Sequence, residues 1–195
     1  MRSLLPRSAP RWLTDPVVGV LARLGVTPNM LTVAGVLGNI AAAVLAARGD
    51  FLPAGIVVLA ASSLDMFDGA LARATGRVTD FGSVFDAVMD RVSEAAVLFG
   101  LLIYFSDRGG RTEELLVFAA VAGSFLVSYI RARAQIIGIT LREGLLTRAE
   151  RVILLGGGLT IDQVTPMLWI LAVLAGATAA QRLLIVWIRA RRQEE

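Results

Sequence analysis

Apolar residues dominate this chain in long blocks, near 29–47, 52–76, 80–105, 114–137, 147–162 and 166–188, with short polar or glycine-bearing breaks between them. A membrane-spanning helix needs about 20 such residues, so the pattern predicts six spans. The fifth block is at the short limit, whereas the second and third are longer than a bilayer requires. Residues 1–28 are patterned differently. Arg2, Arg7, Arg11 and Arg23 fall on one side, and Trp12, Val17, Val18, Val20, Leu21 and Leu24 on the other. That amphipathic arrangement predicts a helix lying in the membrane interface. A signal peptide would need an unbroken apolar region, which Pro6, Pro10 and Pro16 interrupt. Gly25-Val-Thr27-Pro28-Asn29 ends this helix and starts the first span. The expected fold is all-α, a polytopic membrane protein forming one domain over 1–195. It comprises an interfacial helix (1–28), six transmembrane helices (29–188) and a basic tail (189–195).

Composition agrees with that solvent: 56% of residues are hydrophobic, and the mean hydropathy of +0.70 is too high for one soluble domain. The absence of Cys and His excludes disulfides, zinc sites and imidazole catalysis, leaving acid–base work to Asp, Glu, Tyr or Arg. All nineteen cationic side chains are Arg, and their placement sets the orientation. One set of connections holds Arg2, Arg7, Arg11, Arg23, then Arg73 and Arg77, then Arg131, Arg133, Arg142 and Arg148, then Arg189, Arg191 and Arg192. The opposite set holds Arg48 with Asp50, the mixed loop Ser106–Glu114, and Asp162. Both termini are therefore expected on the cytoplasmic side of the cell membrane, with membrane lipids and no nucleic acid as surroundings. No internal repeat is visible, which weighs against an inverted-repeat transporter.

Charge inside two of these blocks changes the picture. Asp65 and Asp68 stand three apart and Asp86 and Asp90 four apart, which on helices puts each pair on one face. A carboxylate at mid-membrane costs roughly 2.5–3.5 kcal/mol, so four without compensation cost on the order of 10 kcal/mol. Arg73, Arg77 and Arg91 lie near but cannot satisfy eight carboxylate oxygens. Hard divalent cations can, so the stretch reads as a site for Mg²⁺ or Mn²⁺. Gly69 and Gly82 fit either close helix packing or room for a phosphate beside the metal.

Asp65-x2-Asp68-Gly69-x2-Ala72-Arg73-x8-Gly82-x3-Asp86-x3-Asp90 resembles the full signature of the CDP-alcohol phosphatidyltransferases, with every fixed position present at the right spacing. The likeness extends to Thr27-Pro28-Asn29 and to the six-span layout. It implies a membrane enzyme, often a homodimer, that uses two divalent ions to join a CDP-linked lipid to an alcohol and release CMP. By position it implies Asp65, Asp68, Asp86 and Asp90 as metal ligands, with Asp90 also the general base. Gly69 and Arg73 would contact the CDP moiety, with Pro28, Asn29, Thr32, Thr79 and Gly82 around the nucleotide. The chemistry is consistent: hydroxyl attack on a diphosphate needs charge neutralisation, a positioned nucleophile and a base. Tyr129 is a weaker base candidate, since a phenol holds its proton near neutral pH.

A second constellation runs from Ser128-Tyr129-Ile-Arg131-Ala-Arg133-Ala-Gln135 through Arg142 to Thr147-Arg148-Ala-Glu150-Arg151. Snorkelling at helix ends accounts for Arg142. Arg131, Arg148 and Arg151 flank the aspartate motif and are expected to bind the phosphate of an acceptor, since guanidinium forks suit phosphate. Within the family these segments resemble the branch that uses inositol phosphate. Gln135 departs from that branch where an acidic residue is expected, and Ala87 where Ser is common. The expected partners are CDP-diacylglycerol and a phosphorylated polyol, with glycerol 3-phosphate the rival acceptor. Glu94 is one candidate partner for Arg91 or Arg73, and Arg182 is expected to snorkel rather than reach inward to a substrate phosphate. A cation transporter is the competing class, but it has no need of Ala72-Arg73 or Gly82.

Overall fold

A computed structural model describes residues 11–141 and 143–194. Among them are seven helices and no strand: α1 (Arg11–Arg23), α2 (Pro28–Arg48), α3 (Phe51–Ala74), α4 (Asp80–Ser106), α5 (Arg111–Ile136), α6 (Arg148–Thr160) and α7 (Val164–Glu194). Residues 1–10, the first part of the expected interfacial helix, lie outside the described residues. Helix α1 itself packs on α3 through Val18 and Leu21, against Phe67 and Leu71.

Local chemistry explains the boundaries. Thr27 caps α2, its hydroxyl accepting from the Met30 N–H at 3.3 Å, and Pro28 fills the first helical position, where its missing N–H costs nothing. Gly49 ends α2 in the left-handed region (φ 89°), a conformation that glycine adopts without steric cost. Thr79 caps α4 by accepting from the Gly82 N–H at 3.0 Å. Glu150 accepts from the Thr147 N–H at 2.5 Å at the start of α6.

Among the described residues, four helices are long and apolar enough to cross a membrane: α2, α3, α5 and α7. Helix α4 is long enough at 27 residues but carries Asp86, Asp90, Arg91 and Glu94 within it. Helix α6, at 13 residues, covers only about 20 Å against a hydrocarbon core of about 30 Å. The direction of the helices follows from three contacts. The Phe51 and Tyr104 rings meet at 4.7 Å, so the start of α3 lies beside the end of α4. Thr165 donates to Glu113 at 3.1 Å, bringing the starts of α5 and α7 together. Arg189 donates to the Thr140 carbonyl at 2.8 Å and pairs with Glu143. Helices α5 and α7 therefore run the same way, and the chain returns between them through the 137–147 connection and α6.

The interior is built largely from small and aliphatic residues, among them Ala42, Ala46, Val58, Val97, Leu101, Leu155, Leu168 and Leu171. Two helix crossings depend on glycine. A Cβ on Gly100 would strike the Ala43 carbonyl of α2, and one on Gly55 would strike the Gly156 carbonyl of α6. Backbones can approach this closely only where one partner has no side chain. Large apolar side chains such as Leu37, Ile56, Phe99, Phe118, Trp169 and Leu184 point outward. This inside-out distribution fits a chain solvated by lipid rather than water.

Candidate active site

The C-terminal half of α3 and the N-terminal half of α4 carry the aspartates to one end of the bundle. The starts of α2 and α6 close round them. Asp68 is buried, and its Oδ2 accepts from the Thr32 hydroxyl of α2 at 2.8 Å. From α6, one Arg148 guanidinium nitrogen reaches Asp65 Oδ2 at 2.5 Å and Asp90 Oδ1 at 2.7 Å, bridging α3 and α4. Asp86 is within electrostatic reach of Asp65, Asp90, Arg148 and Arg91. Arg91 lies 3.8 Å from Asp90 and donates to the Ala87 carbonyl. Asp65, Asp86 and Asp90 thus gather from two helices around Arg148 and Arg91, with Asp68 within electrostatic reach of Asp65 and Asp86.

The donor set suits a hard divalent ion, being carboxylate oxygen throughout. As placed, no three acidic side chains among the described residues are close enough to hold one. The Arg148 guanidinium instead lies between Asp65 and Asp90 and bridges them. Its Nε is buried without a partner.

Around this centre, Gly69 faces the Arg73 guanidinium, from which an added Cβ would be 3.3 Å away. Thr79, Gly82 and Asn29 form a second group: a Cβ on Gly82 would approach both the Thr79 hydroxyl and the Asn29 amide oxygen. Pro28 and Thr32 stand in the first turns of α2, with the Thr32 hydroxyl also directed at the Pro28 carbonyl at 3.3 Å. Gly35, one turn further on, was not singled out from sequence, although a Cβ there would meet Asp65 Oδ1 at 3.1 Å. Its placement three residues after Thr32 was the available signal.

The arginines separate. Arg148 enters the carboxylate cluster, and Arg131 is exposed near the end of α5. Arg151 differs from its expected role. It is 3% exposed, and its Nε and one terminal nitrogen hold both oxygens of Glu94 at 2.7 and 2.9 Å. Buried in a two-point ion pair, it presents no fork to a substrate. Glu94 correspondingly forms its ion pair with Arg151, while remaining within electrostatic reach of Arg91. Arg182 does not snorkel: it is buried and donates to the Val127 and Glu143 carbonyls at 2.8 and 3.1 Å. Tyr129 is 61% exposed, with its ring turned away from the interior.

The family model for CDP-alcohol phosphatidyltransferases matches residues 25–191. An archaetidylinositol phosphate synthase of Pyrococcus horikoshii is 38% identical over 83% of this chain and 84% of its own. The chain belongs to the CDP-alcohol phosphatidyltransferase family. A phosphatidylinositol phosphate synthase of Mycobacterium marinum is 36% identical over 94% of this phosphatidyltransferase and 83% of the relative. Among solved structures, the Mycobacterium tuberculosis phosphatidylinositol phosphate synthase with CDP-DAG bound superposes with a TM-score of 0.84 at 33% identity, covering 90% of this chain and 94% of that one. The same enzyme in complex with manganese and citrate gives a TM-score of 0.81 at 34% identity, over 89% and 88% of the two chains. This phosphatidyltransferase is accordingly a membrane-helix enzyme of phospholipid biosynthesis that carries out CDP-alcohol phosphatidyl transfer.

Proposed function

We propose that this phosphatidyltransferase joins CDP-diacylglycerol to inositol phosphate, making phosphatidylinositol phosphate and CMP. The observation that carries the acceptor is Arg148, which projects from α6 directly onto Asp65 and Asp90. A cation at that point suits an acceptor that brings its own phosphate to the carboxylates. The mycobacterial and archaeal relatives named for inositol phosphate products support the same choice.

In this reading Asp65, Asp68, Asp86 and Asp90 hold two divalent ions, Mg²⁺ or Mn²⁺. When bound, the ions neutralise the diphosphate and the charge of the departing CMP. Pro28, Asn29, Thr32, Gly69, Arg73, Thr79 and Gly82 bind the CDP-lipid. Asp90 takes the proton of the acceptor hydroxyl as its oxygen bonds to the lipid-side phosphorus and the bond to CMP breaks. Arg148 and Arg131 hold the acceptor phosphate.

The proposal extends to topology. The chain is one domain with α2 to α7 as six spans, α1 interfacial, and both termini and the site cytoplasmic, in a homodimer. The parallel course of α5 and α7 supports a crossing by the segment between them.

An acceptor panel tests the proposal. Purified protein with CDP-diacylglycerol and Mg²⁺ is offered inositol 1-phosphate, glycerol 3-phosphate or free inositol, and CMP is measured. Release with inositol 1-phosphate alone is expected. Release only with glycerol 3-phosphate would assign phosphatidylglycerophosphate synthesis instead, and release with free inositol would remove the phosphate-binding role of Arg148.

A further inference from the structure

We infer that Glu94, Arg151 and Ser124 form a buried positioning unit that sets where Arg148 stands over the carboxylates. The inference rests on the reading of Arg148 as an acceptor-binding residue.

Glu94 lies one helical turn beyond Asp90 on α4, and Arg151 one turn beyond Arg148 on α6. The two helices are therefore joined by two successive ion-pair rungs. The outer rung, Arg148 to Asp90 at 2.7 Å, is partly open, with the Arg148 side chain 30% exposed. The inner rung, Arg151 to Glu94, is closed at 2.7 and 2.9 Å with both partners buried. Ser124 of α5, also buried, donates to Glu94 Oε1 at 2.8 Å and ties a third helix to the same carboxylate.

Stability alone is a poor reason for this arrangement. A buried ion pair barely offsets the desolvation of its members, and well-packed apolar residues often replace one without loss. What it does supply is direction. A guanidinium fork on a carboxylate fixes distance, rotation and plane at once. Helix α6 needs such a fix. It has only 13 residues, includes Gly156, Gly157 and Gly158 in succession, and meets α3 at the Gly55–Gly156 contact, where α6 itself contributes no side chain and Leu59 of α3 lies over Gly156. The inner rung pins α6 in rotation and depth. Arg148, three residues away on the same helix, is carried with it.

The test separates positioning from stability. The double variant Glu94→Leu with Arg151→Met removes the pair without stranding a buried charge, and it should unfold thermally near the wild-type midpoint. Its KM for inositol 1-phosphate should rise about tenfold while its KM for CDP-diacylglycerol stays within twofold. Arg151→Lys, which keeps the charge and loses the fork, should shift the same KM in the same direction. It serves also if the double variant does not fold. A wild-type acceptor KM in either folded variant overturns the inference, as does an equal change in both KM values. Wild-type turnover on inositol 1-phosphate is read first. If the wild type uses glycerol 3-phosphate instead, the proposed acceptor fails by itself, and the same KM split is read with that substrate.

Discussion

Asp65 and Asp90 share one bridging guanidinium, that of Arg148, with Asp86 and Asp68 beside them, and their individual substitutions have different consequences. Asp86→Asn removes one charge from a set that must balance divalent ions, so turnover should fall below about 1% of wild type with the thermal midpoint retained. Asp90→Asn should be equally inactive because it loses the proton acceptor as well. CMP release near the wild-type rate from Asp90→Asn would remove the base assignment. Arg148 now sits between Asp65 and Asp90, so Arg148→Gln should tighten Mn²⁺ binding by calorimetry, by about tenfold or less, given a nearby like charge in a partly exposed site. The same variant should raise the acceptor KM. Unchanged Mn²⁺ affinity would show that the guanidinium does not compete with the ion. The aspartates were legible in sequence because their i, i+3 and i, i+4 spacing is local and charge in an apolar helix stands out. The role of Arg151 was not, because its partner Glu94 lies 57 residues away and Ser124 and Glu94 are 30 apart. A lone Arg beside the phosphate-binding segment looks the same whether it faces substrate or a buried carboxylate.

At the scale of elements, helix positions were readable from the apolar blocks and the start of α2 from Thr27-Pro28, whereas the Thr147–Glu150 cap of α6 emerged only from the structure. Residues Arg111–Glu114, read from sequence as part of a loop, form the first turn of α5. Close approach was not readable, since a glycine at a crossing and a glycine facing open space are the same letter. The two can be told apart by substitution. Gly100→Ala forces a Cβ onto the Ala43 backbone and should destabilise the protein by about 1–3 kcal/mol, seen as a lower thermal midpoint in detergent. Gly157→Ala meets nothing within 4 Å and should leave the midpoint unchanged or raised, because alanine favours helix by up to about 1 kcal/mol. Equal effects at the two positions would contradict the packing described for α2 and α4.

For the whole molecule, α6 decides the topology. Between the α4–α5 connection and the C-terminus lie α5, α6 and α7. If the segment from 137 to 160 crosses, the two points face opposite sides of the membrane, and if it does not, they face the same side. Reporter fusions near Gly109 and after Glu195 should report opposite sides. The central claim is a transfer reaction at the aspartate end of the bundle, and its most direct test is CMP release by purified protein from CDP-diacylglycerol and inositol 1-phosphate. The account predicts release that requires both substrates, stops with EDTA, returns with Mg²⁺ or Mn²⁺, and is absent from Asp86→Asn. CMP release that persists in EDTA, or in Asp86→Asn, would contradict it.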